Sequence, residues 1–294
     1  MKITFLGTGA AEGIPAVYSR TEFAQRVRRE GGPDLRTRSS IRIGDHHQID
    51  FSPDNFWQMH RCDLDMYDVE HLLITHSHED HFQYDQIIAK EMPDGTNGKP
   101  LHIYLSTAAA DWLMQMLECR NQFADLTQEA RDAFLGRYPV HRLEHGVECD
   151  LGGVRGFTVP GNHRVAASGE RSINYLLELP DGKFLLYALD TGYYTDDTWE
   201  MLEGRRADIV IMDCTFGGRT DRGEYPAGHL DCRSFMRMLE RMRKISFIDS
   251  TSTVYATHFN PDQGFDHHAL VEFFRASEAT VTVAYDTLSF ESEQ

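Results

Sequence analysis

The chain has 294 residues and a formal net charge of −17, from 46 acidic and 29 basic residues. This length suits one large domain or two small ones and is ample for a sizeable core. Such an acidic surface repels nucleic acid, and without an 18-residue apolar run we expect no membrane-spanning helix. A small anionic substrate is compatible with this charge, because divalent cations in a pocket reverse the local field.

The cysteines and the first residues indicate the compartment. Five cysteines are scattered along the chain without a CxxC pair: Cys62, Cys119, Cys149, Cys214 and Cys232. This odd, unpaired set suits a reducing environment and gives no sign of a cysteine zinc site. Residues 1–7 read as an apolar strand that runs into glycines and lack the features of a signal peptide. We therefore predict a cytoplasmic protein.

The first half alternates short apolar strands with helical patterns. We predict a strand over 2–7, a loop over 8–38, a hairpin over 39–51 turned at Gly44, a helix near 54–61, a strand over 71–76, a helix over 80–91, a strand over 101–106 and a helical segment over 107–137. In the last of these, Trp112, Leu113, Met116 and Leu117 recur at helical spacing.

The second half repeats the alternation. We predict strands over 147–159, a hairpin from 173–179 to 184–189 turned at Pro180-Asp181-Gly182, a strand over 208–213, a helix over 231–244, a strand over 253–257, a helix over 264–276 and a strand over 280–285. Two strand-rich halves with helices outside predict an α/β fold, a four-layer αβ/βα sandwich. We expect 1–294 to form a single domain, with 107–137 inserted as a helical cap or flank.

One seven-residue stretch concentrates metal-binding side chains. Residues 75–81 read Thr-His-Ser-His-Glu-Asp-His after a buried strand, which places His76, His78, Asp80 and His81 within six positions. In an extended backbone the first two imidazoles project to one face, and a turn would bring the other two side chains round. This arrangement suits two metals that share one pocket. The alternative is a solvated, histidine-rich loop.

Ligand-type residues recur at the ends of other strands. Asp50 ends a short strand, His163 follows the strand that reaches residue 159, Asp190 ends the run 185–189, and His258 follows 254–257. One such residue would ordinarily be a turn cap or a hydrogen-bonded core group. Together with 75–81 there are five strand ends with the same chemistry, which favours a metal site over the solvated loop.

The ordered set Asp50, His76-x-His78-x-Asp80-His81, His163, Asp190 and His258 resembles the five motifs of the metallo-β-lactamase-fold hydrolases, over essentially the whole chain. The resemblance implies two divalent metal ions and a hydroxide held between them as the nucleophile. It implies the following ligands: His76, His78 and His163 for the first metal; Asp80, His81 and His258 for the second; Asp190 bridging both; and Asp50 orienting the site from behind. Such ligands suit Zn²⁺ and tolerate Mn²⁺ or Fe²⁺.

Further features resemble one branch of that superfamily. The loop over 6–16 is similar to that of the PhnP-type phosphodiesterases, and also to the tRNase Z group and the PqqB proteins. Met212-Asp213-Cys214 and the later His229 look like the PhnP pattern, but the cysteine cluster that follows the loop in PhnP-type proteins is missing here. A structural zinc is therefore not expected, and packing must hold 17–38.

His229 stands before a predicted helix and is not needed by either metal. A histidine there could protonate the leaving oxygen of a phosphodiester, and the alternative is a polar residue at a helix start. We take Asp80 and His229 as the catalytic candidates. Asp213 is interpreted as a structural carboxylate at a strand end.

These observations predict a dinuclear metal-dependent hydrolase that cleaves a small phosphodiester, with cyclic phosphodiesters included. One alternative is a tRNase Z-like endoribonuclease, although Glu79 replaces the glycine that the group usually carries and no basic arm is evident. Another alternative is a non-catalytic, PqqB-like metabolite-binding protein. Dimers are common among the proteins that the chain resembles, so a homodimer is an open alternative to a monomer.

Overall fold

A computed structural model describes residues 1–91, 98–119, 127–166, 168–277 and 280–293. Its helices are α1 (Glu22–Glu30), α2 (Asn55–Cys62), α3 (Tyr84–Ile87), α4 (Thr107–Cys119), α5 (Gln128–Arg137), α6 (Asp196–Leu202), α7 (Cys232–Lys244) and α8 (His267–Ala276), with 3₁₀ turns at Gly32–Asp34 and Ile88–Glu91. Within these described residues, none of the helices has the length and apolar character needed to cross a bilayer.

Fourteen strands of the described chain form two seven-stranded sheets. The first sheet has the order β14-β1-β2-β3-β4-β5-β6, with β1 (Lys2–Gly7), β2 (Ser40–Ile43), β3 (His47–Ile49), β4 (His71–Leu73), β5 (His102–Ser106), β6 (Val140–Leu143) and β14 (Ser289–Glu291). The second has the order β13-β12-β11-β10-β9-β8-β7, with β7 (Glu148–Asp150), β8 (Arg155–Val165), β9 (Glu170–Glu178), β10 (Phe184–Ala188), β11 (Ile209–Asp213), β12 (Thr253–Thr257) and β13 (Val281–Val283).

The two sheets have the same arrangement of parallel and antiparallel strands. In the first, β3 to β6 run parallel, and in the second, β10 to β13 run parallel. The remaining neighbours in each sheet are antiparallel. Because carboxyl ends of parallel strands meet at one edge of a sheet, each half places its strand-end residues along a single edge.

Apolar residues fill the three spaces that the layers create. Between the sheets lie side chains from both, such as Phe5, Ile49, Tyr175 and Ile211. A second cluster packs α6, α7 and α8 on the outer face of the second sheet, and a third packs α4 on the outer face of the first. The predicted four-layer αβ/βα arrangement is confirmed.

Several predicted boundaries of strands and helices are correct, and the exceptions are caused by contacts between residues distant in sequence. The hairpin of β2 and β3 and that of β9 and β10 form as predicted. The predicted strand 71–76 ends at Leu73, because the Thr75 amide donates to the Asp50 carboxylate instead of continuing the ladder. The predicted helix 80–91 was wrong at its start: Phe82 forms a bridge with Phe51, and α3 begins only at Tyr84.

Other corrections concern segments whose signals were weak. The predicted loop 8–38 contains α1, whose amino end is capped by the Thr21 hydroxyl. β8 extends to Val165, so His163 lies inside a strand rather than after one. The predictions missed α6, β6 and β14. Within the predicted helical segment 107–137, α4 and α5 are helical, and residues 120–126 fall outside the described part.

The segment 17–38 is held by arginines as well as by packing. Arg28 donates to the carbonyls of Ala16 and Ser19. The fully buried Arg36 donates to Thr8 and to the Ala284 carbonyl, and its guanidinium lies 4.4 Å from the centroid of the Phe259 ring. These contacts fix the segment against the second sheet next to the strand end that carries His258.

A turn between β7 and β8 joins the two sheets through the imidazole of His71. That ring is stacked between His47 and His102, at 4.8 and 5.3 Å between centroids. Gly152, with φ of 78°, packs against it so closely that a Cβ atom would lie 2.2 Å from the ring. Because the flanking imidazoles prevent the ring from moving aside, only glycine fits this position.

We expect Gly152→Ala to destabilise the protein by about 1–3 kcal/mol more than Gly153→Ala, because overpacking adds to the strain. Gly153 is a matched control, since it has a φ of 84° and open space around its Cα. The free energy of unfolding from urea titration would measure both variants. Equal losses would show that backbone strain alone decides, and that the His71 contact contributes nothing.

Candidate metal centre

The structure gathers the predicted site residues at one edge of the sandwich, between the carboxyl ends of the parallel strands. Asp50 follows β3, the 76–81 segment follows β4, Asp190 follows β10 and His258 follows β12. His163 comes from β8, where the pairing with β9 is irregular between Pro160 and Arg164. An irregularity of this kind re-aims a side chain, and here it lets an in-strand histidine reach the cluster.

Three of these strand ends have a backbone conformation that residues other than glycine rarely adopt. Asp50, Asp190 and His258 have φ angles of 62°, 47° and 61°. Each residue in this conformation costs about 1–3 kcal/mol, and the conformation persists only where the surrounding structure holds it in place. Asp50 and His258 lie immediately after a parallel strand and Asp190 lies two residues after one, so the left-handed turn directs each side chain across the edge of the sheet. Sequence patterns gave no sign of this strain.

The first cluster consists of three imidazoles and a carboxylate. His78 Nδ1 lies 2.8 Å from His76 Nε2 and 3.2 Å from His163 Nε2. Asp190 Oδ2 lies 3.3 Å from His76 Nε2 and 3.6 Å from His163 Nε2. One ligand atom from each of the four residues lies within 4.8 Å of the others, which is a geometry that can hold a metal ion.

The second cluster consists of Asp80, His81 and His258. Asp80 Oδ2 lies 3.1 Å from His81 Nε2 and 3.8 Å from His258 Nε2. These three residues also meet the geometric condition for a metal site, and all three are buried. The seven residues that the resemblance implied as ligands thus divide into two groups, with the membership that it implied.

Asp190 lies between the two clusters. Its Oδ2 faces the first cluster, and its Oδ1 lies 3.1 Å from His258 Nε2 in the second. Burial alone would raise the pKa of Asp190, but His258, His229 and His81 hold it well below its usual value. The carboxylate is therefore an ionised group placed where it contacts both clusters.

Thr75 and Asp50 orient the imidazoles from the first sheet. His81 Nδ1 donates to Asp50 Oδ2 at 2.7 Å. The Thr75 hydroxyl donates to Asp50 and lies 3.1 Å from His76 Nδ1, from which it accepts. With Nδ1 of both rings committed to these acceptors, Nε2 is the nitrogen that faces the cluster, and in the neutral ring it is the atom that can bind a metal.

Thr215 and Asp213 do the same from the second sheet. The Thr215 hydroxyl donates to Asp213 Oδ2 at 2.8 Å and accepts from His258 Nδ1 at 2.9 Å. Asp213 also accepts from the Leu230 amide, which fits its predicted structural role. Neither threonine was foreseen, because a lone threonine beside a strand end has no distinctive pattern.

Glu170 is a further residue that the sequence did not reveal. This buried carboxylate accepts from the amide and hydroxyl of Ser77, which stands between His76 and His78, and from the Ser106 hydroxyl. Ser106 in turn accepts from the Ala109 amide in the first turn of α4. Glu170 thereby fixes the backbone between two ligand-type histidines and ties it to α4.

Unsatisfied polar atoms show that this donor set fits divalent cations. His81 Nε2, His258 Nε2 and Asp190 Oδ1 are buried without a hydrogen-bond partner. Buried polar atoms are nearly always paired, and the residues that carry these three atoms face one another across a few ångströms. Imidazole nitrogen and carboxylate oxygen are good ligands for Zn²⁺ and related metals, which would satisfy all three atoms.

The titration behaviour of the imidazoles agrees with that fit. Burial and the neighbouring His81 lower the pKa of His76 to about 3, so this ring stays neutral. Burial alone would lower the pKa of His81, but Asp80, Asp50 and Asp190 raise it well above its usual value. The carboxylates thus outweigh the cost of burying positive charge in the pocket, and a divalent cation would supply that charge.

His229 lies beside the second cluster with Nδ1 turned toward carboxylates. Nδ1 is 3.5 Å from Asp190 Oδ1 and 3.7 Å from Asp213 Oδ2. The ring stacks on His258 at 5.7 Å between centroids, and its side chain is 23% exposed. Burial would lower the pKa of His229, but Asp190 and Asp213 raise it. Together with Asp190 and His258, it also meets the geometric condition for a metal ligand.

Comparison with known families identifies the domain. A family model described as the β-lactamase superfamily domain matches residues 48–259, from β3 to just past His258. The chain belongs to this superfamily. With its two His/Asp clusters, membership supports a metal-dependent hydrolase that uses divalent metal, and it confirms the resemblance at the level of the superfamily.

Solved structures show the same fold at low identity. A diphosphatase from the PhnP family is 21% identical, with a TM-score of 0.69 over 99% of this chain and 97% of that one. Zn²⁺-bound PqqB from Methylobacterium extorquens is 19% identical, with a TM-score of 0.70 over 99% and 100%. The short form of human tRNase Z is 18% identical, with a TM-score of 0.60 over 99% of both chains. No curated protein matches the sequence significantly.

We expect Thr75→Val and Thr215→Val each to weaken metal affinity by about 10–100-fold, because the isosteric change removes the acceptor for a ligand imidazole's Nδ1–H. Competition with a chromophoric chelator would measure this affinity. Thr75→Ser and Thr215→Ser keep the hydroxyl and should retain most of it. If the valine and serine variants bind metal equally well, the hydroxyls do not orient the ligands.

Proposed function

We propose that the protein is a dinuclear metal-dependent phosphodiesterase that acts on a small phosphodiester. The observation that carries this proposal is the pair of ligand clusters on either side of Asp190, with His229 beside the second. His76, His78 and His163 would hold one divalent ion, Asp80, His81 and His258 the other, and Asp190 both. Zn²⁺ is the metal that we favour, and Mn²⁺ or Fe²⁺ suit the same donors.

When bound, such ions supply an activated water and neutralise charge on the phosphoryl oxygens. The protein's own residues supply orientation and exclude water. Asp50 and Thr75 fix the rings of His81 and His76, and Asp213 and Thr215 fix that of His258. Most of these groups are buried, so the fixed dipoles act in a medium of low dielectric, where they are strongest.

His229 is the group that we assign to protonation of the leaving oxygen. Its Nδ1 faces Asp190 and Asp213, which leaves Nε2 on the opposite side of a partly exposed ring. The Thr215 hydroxyl, 3.3 Å from Nδ1, and the two nearby carboxylates hold the imidazole in this orientation. A proton held at Nε2 can then pass to an oxygen that leaves on that side.

The tRNase Z-like alternative has less support than the phosphodiesterase. The net charge of −17 opposes a polynucleotide substrate, and Glu79 occupies the position where that group usually has glycine. The PqqB-like, non-catalytic alternative gives no role to His229, whose Nδ1 lies 3.5 Å from Asp190 beside the second cluster.

We expect the metal-loaded protein to hydrolyse bis-p-nitrophenyl phosphate or a cyclic nucleotide and to lose this activity on chelation. Chelation should also lower Tm, because it leaves buried carboxylates and lone pairs without cations. Release of p-nitrophenol and thermal melts would measure the two effects. Failure to cleave either diester, together with cleavage of a lactam or a thioester, would reject the phosphodiesterase.

We expect His229→Ala to slow cleavage of an alkyl phosphodiester by about 10²–10⁴-fold, because a general acid contributes that much when the leaving alcohol is poor. The same variant should slow a p-nitrophenyl diester far less, since p-nitrophenolate leaves without a proton. His268→Ala, at an exposed position on α8, is the control. Equal losses on both substrates would contradict the assignment to the leaving group.

A further inference from the structure

A row of histidines lies at the edge of the first sheet that is opposite the candidate metal centre. His47, His71 and His102 are the first residues of β3, β4 and β5, and they pair in register across the sheet. His141, the second residue of β6, completes the row. Because these four strands run parallel, their amino ends lie together, away from the carboxyl ends that carry the ligand-type residues.

Two imidazoles at one end of the row direct a nitrogen at each other. His102 Nδ1 lies 2.8 Å from His141 Nε2. The same separation joins His76 Nε2 to His78 Nδ1, which belong to one cluster of the candidate metal centre. Two neutral imidazoles at this distance share one proton between the facing nitrogens, and a transition-metal ion binds the same nitrogens once the proton is lost.

Ring stacking holds both imidazoles in this orientation. The His102 ring stacks on His71 at 5.3 Å between centroids, with 30° between the planes. The His141 ring stacks on Tyr104 at 4.4 Å and 12°. The Tyr104 hydroxyl in turn lies 3.2 Å from His71 Nδ1, so the four side chains form a closed group. A pair of ligands that is already oriented binds an ion at a lower cost in conformational entropy.

The pair is accessible, and its surroundings favour a cation. Both imidazoles are half-buried, and the net charge of the chain is −17. Burial and the neighbouring His102 lower the pKa of His141, and burial, His47 and His102 lower that of His71 to about 4. These rings are therefore neutral near pH 7, which is the protonation state in which imidazole binds a metal.

The number of protein ligands indicates the class of ion. Within the described residues, the pair has no third histidine, cysteine or carboxylate placed to complete a three-ligand group. Structural zinc sites use four protein ligands in a tetrahedron, so a two-histidine pair does not suit Zn²⁺. Ni²⁺ and Cu²⁺ accept imidazole nitrogen and water together in square or octahedral arrangements. The donors here match that second class of ion.

We propose that His102 and His141 form a further metal site, separate from the candidate metal centre, which binds an ion of the Ni²⁺ and Cu²⁺ class through two imidazoles and water. The bound ion joins β5 to β6, which is the outermost strand at this side of the first sheet. Binding therefore stabilises the sheet at its edge. The site does not depend on the proposed phosphodiesterase activity, because neither histidine takes part in the candidate metal centre.

Calorimetric titration of the zinc-loaded protein with Ni²⁺ tests this site. Ni²⁺ is the probe because it does not oxidise the free cysteines, as Cu²⁺ does. We expect the wild type to bind one Ni²⁺ per chain while it retains its zinc, as measured by elemental analysis. His102→Gln and His141→Gln should each lower the Ni²⁺ affinity by about 10²-fold, because one imidazole alone cannot chelate the ion.

His60→Gln is the matched control, since His60 is an exposed histidine on α2. It should leave the Ni²⁺ affinity unaltered. Ni²⁺ should also raise the Tm of the wild type and of His60→Gln, but not that of the two site variants. Absence of Ni²⁺ binding beyond the zinc in the wild type, or equal affinity in the wild type and both site variants, would overturn the site.

A measurement on the wild type alone covers the case in which a site variant fails to fold, as judged by circular dichroism. Diethyl pyrocarbonate modifies accessible imidazoles, and mass spectrometry of peptides locates the modified residues. Ni²⁺ should protect His102 and His141 of the zinc-loaded protein from this reagent and leave His60 reactive. Equal modification of the pair with and without Ni²⁺ would contradict the proposal.

Discussion

The buried carboxylate of Asp190, surrounded by imidazoles from both halves of the sandwich, is the interaction on which the remaining structure depends. Taking an ionised carboxylate out of water costs several kcal/mol, of the order of the whole stability of a domain. Ring nitrogens of His76, His163, His81 and His258 lie within 3.6 Å of its oxygens, yet Oδ1 has no hydrogen-bond partner. The balance therefore requires positive charge between these groups, which explains why the fold converges here on donors suited to cations.

The two sheets orient the imidazole rings of their ligand-type histidines in the same way. In the first sheet, Asp50 and Thr75 hold the outer nitrogens of ligand-type rings, and in the second, Asp213 and Thr215 hold that of His258. Each pair combines a buried carboxylate with a hydroxyl that donates to it and accepts from an imidazole. Because the hydroxyl's proton is committed to the carboxylate, the tautomer of the ring is decided before any metal arrives. This preorganisation compensates for the strained backbone at three strand ends.

Most strands and the seven ligand-type residues could be predicted from the sequence, because strong local patterns mark both. Apolar runs that end in aspartate or histidine identify strand ends, and parallel strands bring such ends together. What it could not predict depends on contacts distant in sequence. β4 stops at Leu73 because Asp50 captures the next free amide, and α3 starts late because Phe82 pairs with Phe51. Glu170 and the threonines are common residue types whose importance comes only from the atoms that they touch.

The cluster residues and His229 stand on different kinds of element, which one backbone contact joins. Most cluster residues follow strands of the sandwich, whereas His229 belongs to the loop that leaves β11. Gly192, two residues after Asp190, has a φ of 55° and packs so closely that a Cβ would lie 2.7 Å from the Gly228 amide. This backbone-to-backbone contact sets the distance between the Asp190 carboxylate and the His229 imidazole, so the position of the loop that leaves β11 depends on the strand end that carries Asp190.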